Sequence, residues 1–165
     1  MGRVIRILGL LLLVGLALFA VVAMAARFHD GPLAILPGGP LTSGTLTSAQ
    51  GVDWSFATDI PEVEFQLLEP PRSRTLWVLV DEGRIFVPCG FLDLPLWKQW
   101  PREALSDGRA LLRVAGRRYP VQAVRVHEPS LYAKLGELAA AKYGLGGGAA
   151  SSPDTTWFFE LLPRG

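Results

Sequence analysis

Residues 75–126 leave few folds open. The first run, TLWVLVDEGRIFVPCG, alternates: Leu76, Val78 and Val80 share one face, and Thr75, Trp77, Leu79 and Asp81 share the other. Successive strand side chains point to opposite faces, and here both faces carry large apolar groups, so this strand is covered on both sides. Asp81-Glu82-Gly83 makes a short hairpin connection, with Gly83 suited to the left-handed position of a bulged turn. The chain then returns through Ile85, Val87 and Cys89. A second hairpin, RALLRVA into YPVQAVRV, turns at Ala115-Gly116-Arg117. Two hairpins joined by a Trp- and Pro-bearing connector predict a mainly β domain, an antiparallel sheet closed into a barrel.

The flanking segments extend that sheet. EVEFQLL puts Val63, Phe65 and Leu67 inward and Glu62, Glu64 and Gln66 outward, a strand with one wet face. Pro70-Pro71 closes it, and Arg72 and Arg74 lead into the central hairpin. A first short strand is expected near Ser43 to Ser48, and TTWFFELL, near the end, reads as an apolar strand that completes the sheet. LWKQWPREALSD reads as a loop and a short helix, with Pro101 in its first turn, Gly108 as its stop, and Trp97 and Trp100 placed to seal the barrel mouth. The clearest soluble helix is PSLYAKLGELAAAKYG. Leu131, Leu135, Leu138 and Ala139 form its apolar stripe, with Lys134, Glu137 and Lys142 outside it.

Residues 7–26 are an uncharged run of 20, ILGLLLLVGLALFAVVAMAA. About 20 helical residues cross a ~30 Å hydrocarbon core. Two readings stay open, an uncleaved anchor and a signal peptide cut near Ala23-Met24-Ala25; the run exceeds the ~7–15 residues of a secretory core, which favours the anchor. Arg3 and Arg6 precede the span and Arg27 alone follows closely. The positive-inside rule then places residues 1–6 in the cytoplasm and the body on the outer, periplasmic side of the inner membrane. Residues 27–42 are too apolar for a solvated linker, with Leu33, Ile35, Leu36 and Leu41, and are expected to run extended along a domain of residues 43–165. His29 beside Asp30 reads as a solvated or headgroup-level pair.

Charge narrows the function classes. Of 16 Lys and Arg, two lie in the first 26 residues, which leaves 14 against 15 acids and a body of net charge −1. A nucleic-acid binder needs a basic surface, so that class is set aside. Two His and one Cys give no metal-binding spacing and no internal disulfide, and Cys89 reads as a buried structural thiol. No nucleophile elbow or phosphate loop is present, and the glycines at 146–148 lack the strand, helix and Lys that a phosphate loop requires. Residues 30–71 hold six acids and no Lys or Arg, while residues 98–125 hold seven bases against Glu103 and Asp107. Cross-strand pairing accounts for most of these, and convergence of a few bases on a phosphate is the alternative.

The order of strand, DEGRIFV return, connector with Lys98 and Trp100, then ALSDGRALLRVAGRRYPVQAVRV resembles the flavin- and deazaflavin-binding split-barrel superfamily over about residues 40–127. That superfamily includes pyridoxamine-phosphate-oxidase-like and deazaflavin-dependent nitroreductase-like proteins. The resemblance implies a split barrel with one or two helices, Arg74, Thr75, Lys98 and Arg102 as phosphate contacts, and Trp77 or Trp100 beside the ring of FMN or a deazaflavin. It also implies homodimers, for which an exposed TTWFFELL edge would serve. With no catalytic machinery of its own in view, the chain is either a membrane-anchored oxidoreductase whose cofactor carries the reaction, or an envelope binding and interaction module on the same barrel with no cofactor.

Overall fold

The computed structural model describes residues 2–90, 92, 99–144 and 152–165. Helix α1 (Gly2–Ala26) precedes strands β1 (Thr45–Leu46), β2 (Glu62–Leu67), β3 (Arg72–Trp77), β4 (Leu79–Asp81) and β5 (Arg84–Gly90). Helix α2 (Trp100–Ser106), β6 (Arg109–Val114), β7 (Arg117–Arg125), α3 (Pro129–Tyr143) and β8 (Thr156–Pro163) follow, and a 3-10 turn lies at Trp54–Ala57. Among the described residues α1 is the one helix long and apolar enough to span a membrane, with a mean hydropathy of 2.9 over its best window.

The strands form one sheet in the order β3-β2-β6-β7-β8-β5-β4, with β1 added in parallel on β7. Because β3 and β4 are separated by Val78 alone, the first and last strands of that order are two halves of one path. β3 pairs with β2 and β4 pairs with β5, so the sheet closes on itself at Val78 and lies open on either side of it. The expected antiparallel barrel is thus a split barrel. Its interior holds Phe65, Leu67, Val78, Ile85, Val87, Leu112, Val121 and Phe159, all nearly inaccessible. Both predicted hairpins form, but as two-residue turns without a bulge: Asp81 pairs with Arg84 and Val114 with Arg117. Glu82 and Ala115 therefore share the left-handed region with Gly83 and Gly116, which suits the right-handed strand twist.

The alternation in residues 76–80 is as read. Leu76, Val78 and Val80 face the barrel interior. Leu79 packs outside it, with Phe86 and Phe158, under Leu135 and Ala139 of α3. The run is not one strand, however. At Val78 the ladder is interrupted and α3 supplies the missing bonds: Tyr143 Oη accepts from the Val78 amide at 2.9 Å, and Lys142 Nζ donates to the Val78 carbonyl at 2.9 Å and the Ile60 carbonyl at 2.7 Å. Lys142, read as lying outside the apolar stripe, is thus a structural donor whose pKa burial lowers.

Three further expectations change. β8 is flanked by β7 and β5, so TTWFFELL is not an edge and offers none to a second copy. The outer face of β2 is wet only at its start, at exposed Glu62, because the chain after α1 covers the rest: buried Gln66 accepts from the Leu41 amide at 2.6 Å, and Leu41 itself is buried. Of the neighbours read as a solvated pair, His29 is exposed, with Nδ1 3.1 Å from the Gly31 carbonyl, but Asp30 is partly buried and paired with Arg113.

Pro37-Gly38-Gly39-Pro40 is where the chain leaving α1 crosses the sheet edge. A Cβ at Gly38 would lie 1.7 Å from the Gly31 carbonyl oxygen, and one at Gly39 would lie 2.4 Å from that of Arg27. Glycine is required here for close approach of backbones rather than for its dihedral freedom. Gly38 exchanges backbone bonds with Ser73 of β3, and Ser73 Oγ donates to the Gly39 carbonyl at 2.6 Å.

Candidate ligand site in the split of the barrel

The strand register decides what the open seam presents. Phe65 lies opposite both Leu112 of β6 and Arg74 of β3, and Leu67 lies opposite Ala110 and Arg72. Directly opposed residues share a face. Arg72 and Arg74 therefore occupy inward positions that hold phenylalanine, leucine and alanine on the two strands beside them. Two guanidiniums in the phase of the core keep this half of β3 from sealing against β5.

A cavity of about 400 Å³ results. One lip is Arg72, Arg74, Thr75 and Leu76 of β3, and the other is Pro88 and Cys89 of β5. Gln99, Trp100 and Glu103, at the start of α2, line it as well, and Ile35 and Pro37 reach its rim. The Arg74 guanidinium sits 5.7 Å from the centre of the Trp100 ring. Its Nε is buried without a hydrogen-bond partner among the described residues. Burial pushes this guanidinium down to about 10, against the upward pull of Glu103 and Cys89. It stays protonated at neutral pH, so a half-buried cation faces a cavity with its Nε donor unfilled. Such a group is costly to keep unless something arrives to pair with it.

The sequence-predicted residues divide. Arg74, Thr75 and Trp100 come together in this cavity. Trp77 faces the other side of its strand and stacks on Tyr143, with centroids 4.2 Å apart and planes 9° from parallel, so it lines no part of the site. Arg102 is exposed on α2, donates to the Leu92 carbonyl at 3.1 Å, and is not part of the lining. Lys98 and Trp97, like the glycines at 146–148, lie outside the described residues. Reading from the hairpin alone misses Arg72, Gln99, Glu103 and the cavity-facing position of Cys89. The first of these had a signal: Leu76, Val78 and Val80 extrapolated backwards by two put Arg74 and Arg72 in the inward phase.

A second cavity of about 490 Å³ lies by the β6–β7 turn and is bordered by Glu62, Glu64 and Arg113. Its cation is already satisfied. Arg113 pairs through Nε with Glu64, and through Nη1 with Asp30 at 2.9 Å and Ser43 Oγ at 2.8 Å. Pairing with Glu64 raises its pKa despite partial burial. The smaller cavity in the split is therefore the better anion site. Among the described residues no cluster of three or more His, Cys, Asp or Glu could hold a metal.

Strand order and open seam define the class, a split barrel carrying one N-terminal apolar helix. Among solved structures the chain is similar to a putative pyridoxamine 5'-phosphate oxidase from Listeria innocua, with 11% identity and a TM-score of 0.48, over 64% of this chain and 85% of that one. No family model and no curated protein matches it. At that identity and score the likeness lends nothing to an activity or a cofactor, which rest on the residues themselves.

Proposed function

We propose that the split binds a phosphorylated planar ligand, FMN or a deazaflavin, and that the protein is a membrane-anchored oxidoreductase working through it. One observation carries this reading: the buried Nε of Arg74, without a hydrogen-bond partner among the described residues, in the inward phase of β3 and beside the Trp100 ring. Arg74, Arg72 and Thr75 would hold the phosphate, since a guanidinium offers paired donors matched to its oxygens. Trp100 would lie against the ring. A bound flavin supplies hydride or electron transfer, and the chain's part is to fix its phosphate and keep water from the interior end of the seam. Residues 7–26 serve as the anchor, with the N-terminus in the cytoplasm, residues 27–42 as the tether and residues 43–165 as the barrel on the outer side of the inner membrane.

Titration of the full chain in detergent micelles with FMN, and separately with a deazaflavin, tests the site by ligand fluorescence. Saturable binding is expected, weakened about 10- to 100-fold by Arg74→Met, the range for loss of a charge-assisted hydrogen bond. Arg102→Ala, which removes an exposed cation outside the lining, is expected to change it less than about threefold. Equal binding by wild type and Arg74→Met would remove the phosphate assignment. No binding of either compound by a folded chain would favour the interaction module, for which the densely filled interior beneath the seam already suffices.

A further inference from the structure

We propose that Phe28 and the turn at residues 33–36 rest in the headgroup layer of the membrane that α1 spans, which seats the mouth of the split on the bilayer surface. This rests on the reading of α1 as an anchor, and is independent of which ligand the split holds.

Three observations carry it. The first is continuity. Ala26, at the end of α1, is buried against the body, and two residues later Phe28 is 86% exposed. From there a short chain of hydrogen bonds leads to the cavity wall. The Gly39 amide donates to the His29 carbonyl at 3.0 Å, Gly38 and Gly39 are bonded to Ser73, and Ser73 stands between Arg72 and Arg74. The wall of the site is thus held within a few ångströms of the chain just leaving the membrane helix. No flexible spacer intervenes, because the glycine crossing is in backbone contact and Asp30 is clamped by Arg113.

The second observation is the chemistry of the turn. Leu33 and Leu36 exchange backbone bonds of 3.1 and 2.9 Å, which forces Ala34 to a φ of 52° and puts Ile35 at the tip. Tight turns in water favour Gly, Asn, Asp and Ser. This one presents Leu33, Ala34 and Ile35, with Ile35 82% exposed. The third is placement, for Ile35 and Pro37 are also rim residues of the cavity. One exposed apolar tip, on the segment that leaves the anchor, is therefore also the lip of the site, with exposed Arg27 and Arg72 available to meet anionic headgroups.

The test places an environment-sensitive fluorophore on Ile35→Cys, on Phe56→Cys and on Leu13→Cys, each in the full chain with Cys89→Ser. Should Cys89→Ser fail to fold, the native Cys89, which is buried, is retained and left unlabelled. Phe56 is the comparison site: it is 49% exposed and follows Trp54, whose amide donates to the Gly83 carbonyl at the β4–β5 turn, the end of β5 remote from Cys89. Reconstitution is in nanodiscs of phosphatidylcholine with phosphatidylglycerol, with and without lipids bearing a nitroxide near the headgroup. The Ile35 probe is expected to shift to the blue and to be quenched about twofold or more, and the Phe56 probe hardly at all. A quenched Leu13 probe with Ile35 behaving like Phe56 overturns the surface contact and leaves the anchor standing. An unquenched Leu13 probe overturns the anchor, and the contact with it.

Discussion

Arg74 and Arg113 stand on the two strands that flank β2, one residue apart in register, and their circumstances are opposite. Arg113 faces outward across from Glu64, meets Asp30 and Ser43 as well, and has its pKa raised by that company. Arg74 faces inward across from Phe65, finds no hydrogen-bond partner for Nε among the described residues, and has its pKa lowered to about 10 by burial. The acidic first half of the body supplies partners to the outer arginine because the tether is laid over the outer face of β2. It supplies none to the inner one. A side chain that is satisfied within the fold holds the fold together. One that is desolvated and left short of partners weakens the fold, and is the group on which the proposed ligand site rests.

The strongest way to break this contrast is to lift the tether. Gly38→Ala would drive a methyl group to 1.7 Å from the Gly31 carbonyl oxygen, backbone against backbone. Loss of about 3 kcal/mol of stability is expected, a fall in melting temperature of roughly 6–12 °C. Arg113 should then resemble Arg74, so that Arg113→Met costs less in the Gly38→Ala background than in the wild type. Strict additivity would mean that the tether does not bring Asp30 to Arg113.

Alone, Arg113→Met strands Glu64 and Asp30, each one-third exposed, and should cost about 2 kcal/mol, below the full penalty of a buried broken pair. Thermal melts of the full chain in micelles measure it. Arg74→Met should act with the reverse sign. Replacing a desolvated cation by an apolar side chain, among neighbours such as Phe65 and Trp100, is expected to add about 1 kcal/mol in the absence of ligand. A destabilised Arg74→Met would mean that Glu103 and the Trp100 ring compensate the guanidinium fully, and the two arginines would then be alike.

Much of the fold was legible because it is written in local periods. The alternations through Phe65 and through Val78, the hairpins around Gly83 and Gly116, and the Leu131-Leu135-Leu138 stripe each follow from residues a few positions apart. What was not legible depends on distant partners. The break at Val78 is healed by Lys142 and Tyr143, some 64 residues on, and nothing near Val78 announces it. Trp77 read as a ring-stacking candidate because its partner, Tyr143, belongs to another element. TTWFFELL read as an edge because strand order in a sheet is set by closure, not by chain order. At the site, charge counting raised both pairing and convergence; pairing is what Arg113 shows, and only the register tells that Arg74 is the arginine turned toward the cavity.

The two regions should also respond to pH at opposite ends of the scale, and the acid end gives the smallest but cleanest effect. Asp30 loses solvation on docking, which opposes ionisation. Hydrogen bonds from Ser43, the Thr42 and Ser43 amides and Arg113 more than offset this and hold its carboxyl well below its ordinary 3.8. Its folded pKa is depressed, so its contribution is complete above about pH 4 and is lost as pH falls below 3.8 toward the folded value. Arg74 runs the other way: burial lowers its folded pKa to about 10, so its cost is constant at neutral pH and relieved only as pH rises above about 10. In the alkaline window lysines and tyrosines titrate too, which leaves the acid one as the usable handle. The stability difference between wild type and Asp30→Asn should be flat from pH 8 to 4, at about 1 kcal/mol after solvent screening, and shrink below pH 4. If it stays constant down to pH 3, Glu64 alone holds Arg113, and the tether's part in satisfying the outer arginine is lost.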